Sequence, residues 1–210
     1  PKIQFLDEPA HLLPPTRHVG AAPRAPDGRR RYVAHEDLSK AHVVILPGRD
    51  AADDPDPVAL EPDHDVDLPG PPASLLALED KVLVTIRSDP GLLLALAPDD
   101  LRELGRVELP ADAWGLAITG DERAAVVTSA WTHQVSIVDL TPLSLRFSLD
   151  VAREPRGVVI PARGDRAYVS HLVGAQLTRI DGLLTGAPSA TRVSLPAAPL
   201  RTPPDRRDLA

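Results

Sequence analysis

Short apolar stretches recur along this chain at a fixed spacing, and turns bound each of them. Residues 134–139 read Gln, apolar, hydroxyl, any residue, apolar, Asp, and residues 176–181 repeat that pattern 42 positions later. Upstream of each stretch a glycine, Gly115 or Gly157, precedes an apolar triplet, again 42 positions apart. Because the apolar residues lack the three-and-four spacing of an amphipathic helix, the pattern predicts strands.

Two earlier copies of the repeat complete the series. Leu101, Val107 and Leu109 stand 42 positions before Leu143, Leu149 and Val151, and Tyr32-Val33 corresponds to Tyr168-Val169. Each copy contains four short strands separated by turns. Four strands in about 40–45 residues is the period of a β-propeller blade. We therefore expect an all-β chain made of four-stranded antiparallel propeller blades.

The repeat also divides the chain into segments. Residues 19–195 should form four blades, of which the first is incomplete and carries an acidic insertion at 48–69. Residues 1–18 read as an N-terminal extended segment, and residues 196–210 as a Pro-rich C-terminal tail or linker.

Composition agrees with many short strands. Hydrophobic residues make up 43% of the chain but aromatic residues only 3%, so the core must consist of Val, Leu, Ile and Ala. The 24 prolines and 13 glycines are more turn-forming residues than a helical bundle of this length would tolerate. The longest strongly apolar stretch, residues 92–97, is far too short to cross a bilayer, so no transmembrane segment is expected.

Charge and cysteine content exclude several functions. The net charge of −7 argues against nucleic-acid binding. The absence of cysteine excludes disulfides, thiolate metal sites and a covalently attached c-type haem on this chain. His35-Glu36 does not continue into a zinc-peptidase motif, because the next histidine is His42. No Gly-x-Ser-x-Gly elbow of a serine hydrolase occurs either, and we expect no catalytic residues.

Three segments carry a resemblance to a known family. Residues 26–34 (PDGRRRYVA), 164–170 (GDRAYVS) and 134–139 (QVSIVD) resemble the YVTN-type β-propeller repeat of bacterial surface and periplasmic proteins. The resemblance covers about residues 19–195 and implies a location outside the cytoplasm: periplasmic, cell surface or secreted. The copy that contains Leu101, Val107 and Leu109 departs from it, since Glu79-Asp80-Lys81 replaces the Gly-Asp turn.

The number of blades bears on partners. A closed propeller has about 4–8 blades, and closure is what covers the strand edges. Propellers similar to the YVTN type usually have more than four. We therefore expect a partial propeller, completed by another chain or segment, with a protein as the partner that completes it.

In similar propellers, the connections between blades share one face with the turns between the second and third strands. The candidate binding residues on that face could form an aromatic and imidazole patch that docks a protein or holds a metal or a haem edge. The alternative is that they are ordinary polar loop residues. The candidates are Trp114, Arg156, Trp131, His133, His35 and His171.

The acidic insertion raises the question of a metal. Asp63, Asp65 and Asp67 alternate as carboxylates do in calcium-binding loops. The pattern does not continue, because Leu68 and Ser74 stand where such a loop has Gly and Glu. A calcium site and a solvated insertion both remain open.

Three functions are compatible with these features. The first is a non-catalytic extracytoplasmic module for protein binding or scaffolding. The alternative is the propeller part of a redox enzyme or assembly whose c-type haem sits on another chain or domain, because similar propellers are sometimes fused to cytochrome domains. A third is a propeller lactonase, which would need carboxylates and histidines converging at the channel.

Overall fold

The regular structure of this chain consists of strands. The computed structural model describes residues 30–45, 64–161 and 164–196, and every helix or strand within those ranges is a strand. The described part of the chain therefore contains no helix that could cross a membrane.

Within the described ranges, fifteen strands form four antiparallel sheets, which we number blades 1 to 4 along the chain. Within each sheet the spatial order of the strands follows the chain order. Blade 1 has three described strands, β1 (Arg30–His35), β2 (Lys40–Ile45) and β3 (His64–Asp67). Blade 2 contains β4 (Pro72–Ala77), β5 (Val82–Ile86), β6 (Gly91–Leu96) and β7 (Glu103–Leu109). Blade 3 contains β8 (Ala113–Ile118), β9 (Ala124–Ser129), β10 (Gln134–Leu140) and β11 (Leu143–Asp150). Blade 4 contains β12 (Pro155–Val159), β13 (Arg166–His171), β14 (Gln176–Asp181) and β15 (Ser189–Ser194).

The core lies between successive blades. Along β9, Ala125 and Val127 pack toward blade 2, whereas Ala124 and Val126 pack toward blade 4. All six residues of β9 are buried, because both faces of its sheet are covered by a neighbour. Burying one valine side chain of this core stabilises the fold by about 1.5–3 kcal/mol.

A β-bulge recurs near the start of the innermost strands. The pairing of β4, β8 and β12 with the following strand shifts register at the same place in each blade. The bulged backbone N–H donates a hydrogen bond to a hydroxyl on that following strand. The pairs are Ser74 N to Thr85 Oγ1 at 2.9 Å, Gly115 N to Thr128 Oγ1 at 2.8 Å and Gly157 N to Ser170 Oγ at 3.2 Å.

The same hydroxyls connect one blade to the next. Thr85 Oγ1 donates to the carbonyl of Trp114 at 2.8 Å, and Thr128 Oγ1 donates to the carbonyl of Arg156 at 2.8 Å. A Cβ on Gly115 would fall well inside van der Waals contact with the carbonyl of Arg156, so only glycine allows the two innermost strands to come this close. Each such threonine therefore has a partner in two blades.

This architecture confirms the predicted fold class: the chain is all-β and forms antiparallel β-propeller blades. Blade 1 differs from the other three blades in having three described strands, since residues 1–29 and 46–63 lie outside the described ranges. The segments predicted at 1–18 and 196–210 likewise lie outside them, apart from Pro196. Part of the predicted acidic insertion, residues 64–67, forms β3.

Candidate binding site on the loop face

The turns between second and third strands lie at the same end of the sheets as the connections between blades. The backbone N–H of Ala130 donates to Asp112 O at 3.0 Å, and that of Leu172 donates to Glu154 O at 2.9 Å. We call this end the loop face. It consists of turns 36–39, 87–90, 130–133 and 172–175 and of connections 68–71, 110–112 and 151–154.

Two cations lie against one indole at the loop face. The guanidinium carbon of Arg87 lies 4.2 Å from the centroid of a Trp114 ring, and that of Arg156 lies 4.0 Å away. Both distances are within the range of cation–π attraction, which is strongest for tryptophan. Trp114 and Arg156 are the second residues of β8 and β12, so adjacent innermost strands place them side by side.

Three carboxylates balance these cations. Arg87 donates through Nε to Asp112 Oδ1 at 2.7 Å and also pairs with Glu36. Arg156 donates through Nη2 to Glu154 Oε2 at 2.8 Å. We call this group the Arg-Trp-Arg cluster; its residues are Glu36, Arg87, Asp112, Trp114, Glu154 and Arg156.

Asp112 is the most buried charged group of the cluster. Its residue is 1% exposed, and its Oδ2 lies 3.8 Å from Arg156 Nη1. Among the described residues neither of these two atoms has a hydrogen-bond partner. The carboxylate therefore interacts with Arg156 through charge alone, while its other oxygen is held by Arg87.

The Arg-Trp-Arg cluster joins several blades. Glu36 belongs to blade 1, Arg87 to blade 2 and Arg156 to blade 4, while Asp112 lies on the connection into blade 3. Its arginines already have carboxylate partners, so an incoming anion would have to displace one of them. This arrangement holds the loops of different blades in fixed positions.

The sequence pointed to two members of the cluster and missed four. Trp114 and Arg156 were candidates, whereas Arg87, Asp112, Glu36 and Glu154 were not. A signal for two of the missed residues was present, because Asp112 and Glu154 are acids 42 positions apart that immediately precede an innermost strand. Both have positive φ, 62° and 53°.

Trp131 lies apart from the cluster, at the tip of the turn between β9 and β10. Its residue is 62% exposed, and the corresponding turn of blade 4 exposes Leu172 by 69% and also Val173. Leu38 in the turn of blade 1 is likewise exposed. His133 follows Trp131 in the same turn, is half-buried, and has a φ of 57°. Large apolar side chains therefore lie at the tips of three of the four described turns.

His171 is engaged within its own surroundings. Its Nδ1 lies 2.9 Å from Arg153 O, and its Nε2 lies 2.8 Å from Thr178 Oγ1. Both ring nitrogens thus have partners, so this side chain helps to fix the connection into blade 4.

His35 pairs with a second histidine that the sequence did not select. The rings of His35 and His42 meet edge to face with centroids 4.8 Å apart. Burial lowers the pKa of His35, opposed by the charge of Asp37. Burial also lowers the pKa of His42, with a further contribution from the neighbouring charge of His35, and Asp65 opposes the shift. Both imidazoles are therefore favoured in the neutral form.

This histidine pair predicts loss of stability in acid. A histidine whose folded pKa lies below its unfolded value of about 6.5 takes up its proton more readily in the unfolded chain. Its contribution is present above pH 6.5 or so and is lost as pH falls through that value. We expect the melting temperature to fall as the pH is lowered from 7.5 to 5. The variant His42→Leu tests this assignment, because leucine is the residue at the matching position 94 of blade 2. If the melting temperature of this variant fell with pH as much as that of the unchanged chain, the assignment would be wrong.

The predicted calcium ligands are only partly described. Asp63 lies outside the described residues. Asp65 and Asp67 lie on β3, where both pair with Lys40 at 2.9 and 3.2 Å. The hydrogen bond from Lys40 lowers the pKa of Asp65. Within the described ranges no group of three or more acidic or histidine side chains is arranged to hold a metal. The calcium site stays a prediction.

Comparison with known proteins places this geometry in a fold class. No family model and no curated protein matches the chain. Among solved structures, the chain is similar to hydrazine synthase from Kuenenia stuttgartiensis, with a TM-score of 0.66 over 90% of this chain and 53% of that chain, at 13% identity. It is also similar to a protein described as a 6-phosphogluconolactonase from Bacteroides fragilis, with a TM-score of 0.67 over 92% of this chain and 59% of that one, at 14% identity.

These similarities establish the fold and nothing finer. The chain is a propeller-type protein, and it spans between half and three fifths of the length of these two structures. At 13–14% identity, the chemistry of either neighbour does not transfer to it.

Proposed function

We propose that this chain is part of a non-catalytic, extracytoplasmic β-propeller that binds a protein partner through its loop face. The observation that carries the proposal is the row of exposed apolar side chains at the turn tips. Trp131 and Leu172 are 62% and 69% exposed on adjacent blades, and Leu38 repeats the feature on blade 1. Apolar side chains grouped on one surface and bordered by polar residues are typical of protein interaction sites.

The Arg-Trp-Arg cluster supports this function by fixing the surface. Because it links the loops of blades 1, 2 and 4, the turns that carry Trp131 and Leu172 project from a preorganised base. A preorganised surface loses less conformational entropy on binding. The extracytoplasmic location rests on the YVTN-like segments.

The test is quantitative co-purification of the native protein, with the double variant W131S/L172S compared against a matched control. The control L104S/L145S removes two exposed leucines from the outer strands β7 and β11. We expect a partner protein to co-purify in stoichiometric amount with the native protein and with the control. The amount that co-purifies with W131S/L172S should be at least tenfold lower. Equal retention by both variants would contradict binding through the loop face.

A second candidate is the propeller part of a redox assembly whose c-type haem lies on another chain or domain. The similarity in fold to hydrazine synthase favours it. The absorption spectrum of the native assembly decides between the two: a Soret band that co-purifies with the chain supports this candidate, and its absence rejects it.

A further inference from the structure

The three described junctions between blades share one hydrogen-bonding device. In each, a side chain of one blade donates to a backbone carbonyl at the end of the third strand of the next blade. At the first junction both Arg30 Nη1 and Tyr32 Oη donate to Pro98 O, at 3.0 and 2.9 Å. At the others, Lys81 Nζ donates to Leu140 O at 3.5 Å and Arg146 Nη2 donates to Leu183 O at 2.8 Å.

The acceptors occupy matching places in the repeat. Leu140 stands 42 positions after Pro98, and Leu183 stands 43 after Leu140. Each lies where the third strand turns into the fourth. The carbonyl at this turn is therefore the recurring contact by which a blade is held against its predecessor.

Blade 4 carries the same donors as blade 1. Arg166 and Tyr168 are the first and third residues of β13, as Arg30 and Tyr32 are of β1. In blade 4 these two side chains, with Asp181, line an open cavity of about 490 Å³. Tyr32 is fully buried by its contact with blade 2, whereas Tyr168 is only half-buried. The cavity thus lies where the three earlier junctions hold a turn.

The hydroxyl groups that connect one blade to the next also indicate that blade 4 lacks a following blade among the described residues. Thr85 and Thr128 donate to the innermost strand of the following blade, and Ser170 occupies their position in blade 4. Ser170 is exposed, whereas Thr85 and Thr128 are fully buried. Val159 on the innermost strand β12 of the same blade is 62% exposed. Apolar surface and a hydroxyl that earlier blades use in junctions are therefore exposed on blade 4, where Arg166 pairs with Asp181 of its own blade.

The sequence after blade 4 resembles a connection between blades. Leu195-Pro196-Ala197 repeats Leu109-Pro110-Ala111, which leads from β7 directly into the innermost strand β8. Pro199 then corresponds to Ala113, the first residue of β8. By this correspondence, residues 195–199 match a connection that leads into an innermost strand, while Arg201 stands where β8 has Gly115.

We propose that the face of blade 4 that carries Val159, Arg166, Tyr168 and Ser170 binds a fifth blade of the same repeat. This blade begins within residues 197–210 and continues in the same polypeptide. Arg166 and Tyr168 donate to the carbonyl at the end of its third strand. Ser170 donates to a carbonyl of its innermost strand. This surface is separate from the loop face, so the two proposals stand or fall independently.

Photocrosslinking in the full-length natural protein tests this assignment. Three variants each carry p-benzoylphenylalanine at one position. The first replaces Tyr168 and the second replaces Val159. The third replaces the exposed Leu104 of β7 and is the control. We expect positions 168 and 159 to form an adduct at least tenfold more efficiently than position 104. The adduct should keep the mass of one chain on a denaturing gel, and its peptide should lie beyond residue 196 in a segment with the blade repeat.

Other results overturn the proposal. An adduct to a second copy of this chain, for instance to the acidic segment 50–63, would make the occupant a second copy. An adduct to a separate polypeptide would make it a partner protein. Adducts at positions 168 and 159 no more efficient than at position 104 would mean that the face is solvated.

Discussion

Replacing Thr128 by valine should lower the free energy of unfolding of the 210-residue chain by about 2–4 kcal/mol, because the change leaves two buried backbone groups without a partner. Valine keeps the shape of threonine but cannot accept from the N–H of Gly115 or donate to the carbonyl of Arg156, both at 2.8 Å. Thr128 is fully buried, so water cannot replace either bond. Urea denaturation followed by circular dichroism measures the loss.

Ser170 supplies the matched control for Thr128. It occupies the same place in the repeat and accepts from Gly157 at 3.2 Å, but it is exposed. We expect Ser170→Ala to cost less than about 1 kcal/mol, since solvent satisfies the groups it leaves. Similar losses for the two variants would show that the hydroxyl does not act between blades. Thr128→Ser keeps the hydroxyl and should recover most of the stability.

The fold could be predicted from the sequence because the repeat is a property of local pattern. Residues 134–139 and 176–181 share their alternation, and each became the third strand of its blade, β10 and β14. Strand identity and blade period follow from such alternation and spacing. The β-bulge at Gly115 left a sequence trace as well, since only glycine fits against the carbonyl of Arg156.

The candidate site was less predictable because it depends on contacts between blades. Trp114 and Arg156 could be placed on one face by the repeat, but Arg87 gives no local sign that it lies over the indole of Trp114. His35 and His171 also look equivalent in sequence, each ending a Tyr-Val strand. Their partners differ, His42 in one case and Thr178 in the other, because those partners come from the neighbouring strand.

Asp112→Ala should destabilise the chain by about 3–5 kcal/mol, the cost of breaking a buried ion pair by removing one partner. The carboxylate is 1% exposed and is the charge that lies between Arg87 and Arg156. Without it the two guanidiniums that contact Trp114 repel each other, and the remaining carboxylates of the cluster, Glu36 and Glu154, compensate only in part. Asp112→Asn keeps the shape and should lose about half as much, since its amide oxygen can still accept from Arg87.

Two further observations separate this electrostatic role from backbone strain. Glu122 is also an acid at positive φ, 56°, but it is exposed, so Glu122→Ala should change stability by no more than about 0.5 kcal/mol. The chain has two tryptophans, so in a Trp131→Phe background the emission reports Trp114 alone. Asp112→Asn should shift that emission to longer wavelength, because repulsion between the arginines loosens their contact with the indole and admits water. An unchanged spectrum together with a loss of stability equal to that of Glu122→Ala would show that Asp112 does not hold the cluster together.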